Sequence, residues 1–127
     1  INKVKNRENY RPFGASVLAE HAEEFFELDF ADEYMLYTAN LKIQGFDAIT
    51  HVDNTCRVQT VDKNMNPKFR KLLEYFYEIT GCPVLLNTSL NLPGHTLVET
   101  MEDMFYLFSN TKLKYVYFPE LETMVFK

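Results

Sequence analysis

Tryptophan is absent from this 127-residue sequence, which also has only four glycines, five prolines and two cysteines. Two cysteines are too few for a disulfide scaffold, and Cys56 and Cys82 do not have the spacing of a metal-binding motif. We expect both to be buried free thiols. The sequence also shows no internal repeat, low-complexity tract or linker, so we expect one domain with its own hydrophobic core.

Positive charge is in deficit as well, since 13 Lys and Arg residues face 18 Asp and Glu residues and the net charge is −5. This charge does not favour non-specific binding to nucleic acid, and any bound phosphate would need a local cluster of basic residues. No apolar run is long enough to span a membrane, and no signal peptide is visible. We therefore expect a cytoplasmic location and no membrane partner.

The composition that remains is that of an ordinary globular protein, with 46% hydrophobic residues and an aromatic fraction of 15%. Hydrophobic periodicity and turn residues predict helices as well as strands, which indicates an α/β (α+β) fold with a twisted mixed sheet flanked by helices. The predicted helices cover 19–26, 67–80 and 100–110, the predicted strands cover 34–41, 55–61, 83–89, 114–118 and 121–126, and 12–18 is extended.

The helix over 67–80 has the clearest boundaries of these elements. Asn66 is a favourable N-cap, Pro67 is a favourable first helical residue, and Gly81 supplies the stop. Apolar residues at helical spacing are typical of a core-facing stripe. These stripes, together with the apolar run before the last motif, predict the core residues Phe69, Leu72, Leu73, Phe76, Val84, Leu85, Leu86, Phe105 and Phe108.

Polar side chains gather where the predicted strand 83–89 ends. They are Asn87, Thr88, Ser89 and, two residues later, Asn91. A buried strand that ends in hydroxyls and amides is where an α/β sheet presents a ligand site. The same side chains could instead only cap and turn the chain. The residues alone leave these two interpretations open.

A basic run opens the sequence. At strand spacing Lys3, Lys5, Arg7 and Arg11 would share one face, because every step between them is even, and Val4 would lie on the other. Such a face could bind an anion such as a phosphate. The alternative is a solvated edge strand that lysines protect from pairing.

The predicted strand 55–61 alternates between two kinds of side chain. Arg57 and Gln59 fall on one face, whereas Cys56 falls on the smaller, more apolar face that we expect to pack. An arginine and a glutamine on one face could bind a planar polar ligand, or they could simply be exposed.

A histidine and an aspartate precede this strand. His51 and Asp53 could indicate metal or base chemistry, but no third ligand is spaced nearby. We therefore interpret them as a hydrogen-bonded structural pair.

Three segments, 5–13 (KNRENYRPF), 50–61 (THVDNTCRVQTV) and 83–91 (PVLLNTSLN), occur in this order along the chain. Together they resemble the C-terminal, YrdC-like domain of the O-carbamoyltransferases, the family of nodulation-protein-U-type and antibiotic carbamoyltransferases. The combination is specific, although no single segment would suffice. The resemblance spans nearly the whole chain and implies that residues 1–127 form one YrdC-like domain.

The wider YrdC group carries a Lys-x-Arg and a later Ser-x-Asn, which Lys5 with Arg7 and Ser89 with Asn91 match. In that group these residues surround the phosphates of a nucleotide and of the adenylate made from it. The resemblance therefore implies that carbamoyl phosphate and ATP, accompanied by Mg²⁺, give carbamoyl-adenylate. A separate N-terminal, actin-like domain, which also holds the family's iron, would then transfer the carbamoyl group to an acceptor hydroxyl.

The resemblance also assigns roles to single residues. Arg57 would be a second guanidinium on the phosphates, and Asn87 or the backbone of Thr50 would recognise the carbamoyl amide. We expect Lys5, Arg7, Arg57, Ser89 and Asn91 to converge on one concave, electropositive patch. The implied catalytic residues are Lys5, Arg7, Arg57 and Ser89, the implied substrate-binding residues are Arg11, Thr50, His51, Gln59, Asn87 and Asn91, and none is a metal ligand.

The chain departs from the family mainly by lacking the N-terminal domain. Because it begins at Ile1 within a basic run, we expect a piece of a longer protein, with that domain as its partner. Gly14 and Ala15 stand where Ala-Pro is expected, and Leu90 stands where Phe is expected, but neither change removes a polar group. The alternative function is a nucleotide- or RNA-binding YrdC-like module without turnover.

Overall fold

A computed structural model describes residues 1–8 and 10–127, so Asn9, which belongs to the first motif segment, lies outside the described residues. The chain forms two compact units. The sheet unit is Pro12–Thr88, and the terminal unit combines Ile1–Arg11 with Ser89–Lys127. The elements are α1 (Asn2–Lys5), β1 (Gly14–Leu18), a 3₁₀ helix (Ala19–His21), α2 (Ala22–Phe25), β2 (Thr38–Asn40), β3 (Thr55–Val61), α3 (Pro67–Thr80), β4 (Val84–Asn87), α4 (Met101–Asn110), β5 (Tyr115–Phe118) and β6 (Thr123–Phe126).

The sheet unit is built on four strands in the order β2-β3-β1-β4. Strand β1 runs parallel to β3 and antiparallel to β4, and β2 is antiparallel to β3. The predicted mixed sheet is therefore confirmed. The register pairs Ser16 with Gln59 and Gly14 with Asn87, and these two pairings position the polar residues discussed below.

Side chains alternate between the two faces of a strand, and on one face of this sheet the buried residues are apolar apart from Thr60. Burial raises the pKa of Cys56 to about 11, so its thiol is neutral at pH 7. As the alternation predicted, Cys56 lies on the face opposite Arg57. The buried strand residues of this face are Ala15, Val17, Cys56, Val58 and Val84.

The other face of the sheet is divided between apolar and polar residues. Near α3, Leu18 and Val61 pack with Leu73 of the helix, and Leu85 of β4 packs against them. Along the rest of this face the strands carry polar side chains instead. The hydrogen-bonded polar residues of this face, described below, therefore begin where the apolar contacts with α3 end.

The boundaries of α3 agree with the prediction. The side chain of Asn66 accepts a hydrogen bond from the N–H of Phe69 at 3.1 Å, and Gly81 ends the helix in a left-handed conformation with φ of 70°. The predicted stripe was partly wrong, because Leu72 is 52% exposed. The residues that pack are spaced at i, i+4 and i+8, namely Phe69, Leu73 and Tyr77.

A buried arginine anchors α3 to the sheet. Arg70 is 6% exposed, and one of its terminal nitrogens donates to the carbonyl of Val61 at 2.8 Å and to Glu20 at 2.9 Å. Its Nε donates to Glu74 at 2.7 Å. These bonds raise the pKa of Arg70 and, chiefly through the Arg70 hydrogen bond, lower the pKa of Glu20. The sequence analysis missed this contact.

The terminal unit has its own core around α4. Thr100 caps this helix, and Asp103 completes a capping box with it. Met104, Leu107 and Phe108 form the buried face, whereas the predicted core residue Phe105 is 51% exposed. Met104 and Leu107 were not among the predicted core residues.

The predicted strands 114–118 and 121–126 are confirmed, as β5 and β6, but they form a separate two-stranded antiparallel sheet. The prediction for 83–89 was right in type, although β4 is an edge strand with only Val84 fully buried. The predicted strand 34–41 is reduced to β2, and the helix over 19–26 starts as a 3₁₀ helix. Within the described residues, no helix has the length and apolar character needed to cross a membrane.

Strand spacing at the start of the chain was wrong. Residues Asn2–Lys5 form a short helix, and Asn6 ends it in a left-handed conformation with φ of 50°. Lys3 and Lys5 therefore do not share a strand face. The period-2 pattern of charges was a coincidence of a run too short to specify its own structure.

Candidate functional site

The first and last motif segments meet at Lys5 in the terminal unit. The ammonium of Lys5 donates to Oγ of Ser89 at 3.2 Å and to Oδ1 of Asn91 at 3.5 Å, and it also contacts the backbone carbonyl of Ser89. These residues are 84 and 86 positions apart in the chain. We call Lys5, Ser89 and Asn91 the Lys5 cluster.

Local hydrogen bonds set the geometry of the Lys5 cluster. Ser89 Oγ donates to Asn91 Oδ1 at 2.7 Å, and Asn91 Nδ2 donates to the carbonyl of His95 at 3.1 Å. The backbone carbonyl of His95 can only accept, so it fixes the amide of Asn91 with its oxygen towards Lys5. The Ser-x-Asn spacing therefore brings two neutral oxygens to one cation.

An open cavity of about 340 Å³ lies over this cluster. Arg7 and Arg11 line it beside Lys5, and Glu8 is the carboxylate in its wall. Burial first, and the neighbouring Arg7 charge second, lower the pKa of Lys5. A second cation close to a partly buried ammonium favours an anion as the ligand of this cavity.

A second group of predicted residues forms a hydrogen-bonded network on the divided face of the sheet unit. Ser16 Oγ donates to Gln59 Oε1 at 2.7 Å. Asn87 Nδ2 donates to Ser16 Oγ at 2.8 Å and to Gln59 Oε1 at 2.9 Å. We call Ser16, Gln59 and Asn87 the amide network. The sequence analysis missed Ser16, although a serine inside the otherwise apolar strand β1 was a usable signal.

Gly14 lies beside the amide network, and the Met35 methyl group packs over it. A Cβ at this position would overlap the Cε methyl of Met35 and lie 3.2 Å from the carbonyl oxygen of Arg57. The register places Gly14 opposite Asn87 on one side and beside β3 on the other. The glycine that replaces the expected alanine is therefore required by close packing.

Thr50 and His51 lie in the turn before β3, where local hydrogen bonds occupy them. Thr50 Oγ1 donates to the carbonyl of Phe46 at 2.8 Å, and His51 Nδ1 lies 2.9 Å from Thr55 Oγ1. Asp53 accepts from the same hydroxyl at 2.7 Å, so the expected structural pair is bridged by Thr55. The substrate-binding roles of Thr50 and His51 stay predictions.

Arg57 is exposed on β3 in the sheet unit, whereas the Lys5 cluster belongs to the terminal unit. The convergence of Arg57 with Lys5, Arg7, Ser89 and Asn91 therefore stays a prediction. The described residues contain no group of three or more His, Cys, Asp or Glu side chains that could hold a metal ion.

Comparison with known proteins shows the family to which this chain belongs. The family model described as "Carbamoyltransferase C-terminus" matches residues 1–125. A 3'-hydroxymethylcephem-O-carbamoyltransferase of Amycolatopsis lactamdurans is 41% identical over 105 residues, which are 82% of this chain and 20% of the relative. The nodulation protein NolNO of Sinorhizobium fredii is 40% identical in an alignment of 116 positions that covers 87% of this chain and 17% of the relative.

A third relative, the uncharacterized protein sll1178 of Synechocystis, is 39% identical in an alignment of 137 positions that covers 90% of this chain and 22% of the relative. The chain thus spans about a fifth of the length of these relatives. The match of the family model is nearly end to end and includes all three motif segments. The chain belongs to the carbamoyltransferase C-terminus family.

Proposed function

We propose that this chain is the part of an O-carbamoyltransferase that binds ATP and carbamoyl phosphate and forms carbamoyl-adenylate. One observation carries the proposal: the Lys5 ammonium meets neutral oxygens of Ser89 and Asn91 at the base of a cavity that Arg7 and Arg11 also line. Several cations that line one cavity attract an anionic ligand to it. Phosphates are the ligands that such fixed cations favour.

The balance of atoms in this reaction requires one water. Water cleaves the P–O bond of carbamoyl phosphate, which leaves carbamate and inorganic phosphate. A carbamate oxygen then attacks the α-phosphorus of ATP, and pyrophosphate leaves with the electron pair of the bond that breaks. Negative charge accumulates on the phosphoryl oxygens in this step, and fixed cations stabilise it with little reorganisation.

The residues of this chain would act by position and charge. Lys5 and Arg7 bind phosphoryl oxygens, and the Ser89 hydroxyl and the Asn91 amide hold the Lys5 ammonium in place. Arg57, from β3, is proposed as a second guanidinium that grips two oxygens of one phosphate. Arg11 is partly engaged with Glu8 at 3.6 Å and is the more peripheral cation.

Mg²⁺ would enter as the counter-ion of ATP. The described residues offer no cluster of carboxylates for it, and only Glu8 brings a carboxylate to the cavity wall in this part of the chain. This fits the usual binding of Mg²⁺ through substrate phosphates with few protein ligands. Iron and the acceptor site are assigned to an N-terminal domain of the same polypeptide, where the carbamoyl group would pass to a hydroxyl.

The relatives support the transfer chemistry by their names. Two of them are 3'-hydroxymethylcephem-O-carbamoyltransferases, from Amycolatopsis lactamdurans and from Streptomyces clavuligerus, and the second match covers 98% of this chain. We propose a carbamoyl transfer to oxygen for the present protein on that basis. The cytoplasm, where ATP and carbamoyl phosphate are available, is the proposed location.

The test is pyrophosphate release from ATP by the full-length polypeptide, with and without carbamoyl phosphate. Lys5→Met should reduce carbamoyl-phosphate-dependent release about ten- to a hundredfold, since a charge-assisted hydrogen bond contributes roughly 1.5–3 kcal/mol. Lys3→Met is the matched control, because Lys3 lies on the same short helix but does not line the cavity over Lys5.

The outcomes separate the proposal from its alternative. Nucleotide binding without pyrophosphate release would favour a binding module without turnover. An equal loss of pyrophosphate release in the Lys3 and Lys5 variants would show that only the total positive charge of the segment affects the reaction.

A further inference from the structure

The outer face of the hairpin formed by β5 and β6 carries large apolar side chains. The register pairs Tyr115 with Phe126 and Tyr117 with Met124. Residues that stand directly opposite in an antiparallel pair share a face of the sheet, as do residues two apart on one strand. These four side chains therefore form one surface, on which the ring centroids of Tyr115 and Phe126 are 6.5 Å apart. We call Tyr115, Tyr117, Met124 and Phe126 the hairpin face.

The opposite face of this hairpin is covered by α4. Its apolar side chains, Val116, Phe118 and Val125, pack against the buried residues of that helix. Every residue of the hairpin face, in contrast, is more than half exposed, from 53% at Tyr117 to 73% at Phe126. The core of the terminal unit therefore uses one side of this small sheet and leaves the other side open.

The sequence of the two strands is that of a sheet covered on both sides. A hairpin with one face in water normally alternates apolar and polar residues. Here the strands read YVYF and TMVF, without a charged residue. Aromatic residues and Met are enriched in the buried centres of protein interfaces, where Lys and Glu are depleted. The hairpin face therefore has the composition of an interface centre.

The size of the hairpin face favours a surface of the same polypeptide over a second copy of the chain. Its four side chains present about 500 Å² to solvent. A stable interface between separate proteins takes about 800 Å² from each partner. Domains joined in one chain have a high effective concentration for each other, and their interfaces begin at about 600 Å² in total. The hairpin face is sufficient only for the second kind of contact.

The relatives show that such a hairpin occurs within a much longer chain. The match to the carbamoyltransferase of Streptomyces clavuligerus covers 98% of this chain but only 23% of the relative. The matched part thus includes the hairpin, and more than three quarters of the relative lies outside the match.

We propose that the hairpin face docks onto an apolar surface of the same full-length polypeptide, outside residues 1–127. The aromatic rings would form the centre of this interface, and the hydroxyls of Tyr115 and Tyr117 would keep hydrogen bonds at its rim. Because the Lys5 cluster belongs to the same unit, the contact would hold the candidate anion site in a fixed position relative to the rest of the protein.

Hydroxyl-radical footprinting of the full-length polypeptide tests this contact without a substitution. Tyr75 is the matched control for Tyr117, since the two are 51% and 53% exposed in this chain. Tyr75 lies among charged residues of α3, with the Lys71 ammonium 5.5 Å from its ring centroid. Each oxidation rate is divided by the rate of the same residue in the urea-unfolded protein. Tyr115 and Tyr117 should then react about fivefold more slowly than Tyr75, because interface centres pack as closely as protein interiors. Equal normalised rates at the three tyrosines would overturn the proposal.

A charge placed in the hairpin face distinguishes the two possible occupants. Phe126→Arg should raise the oxidation rate of Tyr117 about threefold, because a charge cannot be buried there without a partner. The mass of the protein, measured by light scattering, should not change. A fall in mass would assign the face to a second copy and overturn the proposal.

Ile79→Arg is the control for this variant, because Ile79 is an exposed apolar residue of α3, and it should change neither the Tyr117 rate nor the mass. An equal rise of the Tyr117 rate in both variants would also overturn the proposal. The footprint requires no substrate. A full-length protein that shows it but releases no pyrophosphate would therefore overturn the proposed function alone.

Discussion

Two cations in this chain are surrounded by oxygen atoms, yet their surroundings differ in charge. Arg70 donates to the carboxylates of Glu20 and Glu74 and to one carbonyl. In the Lys5 cluster, Lys5 donates to neutral oxygens of Ser89 and Asn91. Their pKa values accordingly shift in opposite directions, upwards for Arg70 and downwards for Lys5.

The difference separates a structural cation from a candidate ligand-binding one. Paired carboxylates neutralise Arg70, so it can hold α3 to the sheet but has no charge to offer to a third group. The acceptors of Lys5 in the Lys5 cluster are neutral oxygens, and the cost of desolvating its ammonium is relieved when an anion binds. Counting the carboxylates around a buried cation is thus a more useful guide to function than counting its hydrogen bonds.

The largest effect expected from this comparison is on stability. Arg70→Met leaves two carboxylates and the Val61 carbonyl without their donor, and we expect a loss of about 3 kcal/mol in the free energy of unfolding. Lys5→Met should cost less than about 1 kcal/mol, because its acceptors in the Lys5 cluster are neutral oxygens near the surface. Urea unfolding of both variants measures the contrast, and equal losses would remove the distinction between the two sites.

Adding one negative charge should give Lys5 a carboxylate partner, as Arg70 has. Asn91→Asp keeps an oxygen next to Lys5 but adds a carboxylate, so affinity for pyrophosphate should fall about tenfold, as expected for one charge at this distance near a protein surface. Titration calorimetry measures the affinity.

Asn110→Asp is the matched control for this substitution, because Asn110 also donates to a backbone carbonyl, that of Tyr106 at 2.8 Å, in the same unit. It should weaken binding only slightly. Undiminished affinity in Asn91→Asp would show that pyrophosphate does not bind at Lys5.

The smallest expected effect is on how much of the free energy of unfolding is lost at acidic pH. The pKa of Glu20 is lowered in the folded chain, mainly by its hydrogen bond to Arg70, from an ordinary value of 4.5. Its contribution to stability is therefore complete above pH 4.5 and is lost as the pH falls through the lower, folded-state pKa. Since Glu20 is about half exposed, the contribution should not exceed about 1 kcal/mol.

In unfolding curves recorded between pH 3 and pH 7, the free energy of unfolding of Glu20→Gln should fall less with decreasing pH than that of the wild type. Glu23→Gln, at an exposed position of α2, is the control and should retain the wild-type profile. A wild-type profile in Glu20→Gln would mean that Glu74 alone neutralises Arg70.

Local signals made part of this molecule predictable. The N-cap at Asn66 and the stop at Gly81 define α3 within neighbouring residues, and the alternation in β3 names its buried face without knowledge of any partner. The family motifs likewise brought Lys5 together with Ser89 and Asn91. Each of these inferences depends on a pattern contained in a few consecutive residues or on the resemblance to known proteins.

The unpredicted features depend on partners that are distant in the sequence. Arg70 looks like a surface residue until Glu20, 50 positions away, is placed beside it. Ser16 looks like a minor interruption of an apolar strand until Gln59 and Asn87 meet over it. The short helix at Asn2–Lys5 was misread because four charges at even spacing imitate a strand in a segment with little packing of its own.

The central position of β1 has a consequence for the order of events during synthesis. Its two partners both follow it in the chain, since Ala15 pairs with Val58 and Gly14 with Asn87. A ribosome that has released only the first third of the chain therefore exposes a small apolar strand with both edges open. Strand pairing over such separations is slow compared with helix formation. The Lys5 cluster can close only after Asn91 has emerged, so a nascent chain gains its anion site after all four strands of the larger sheet have been made.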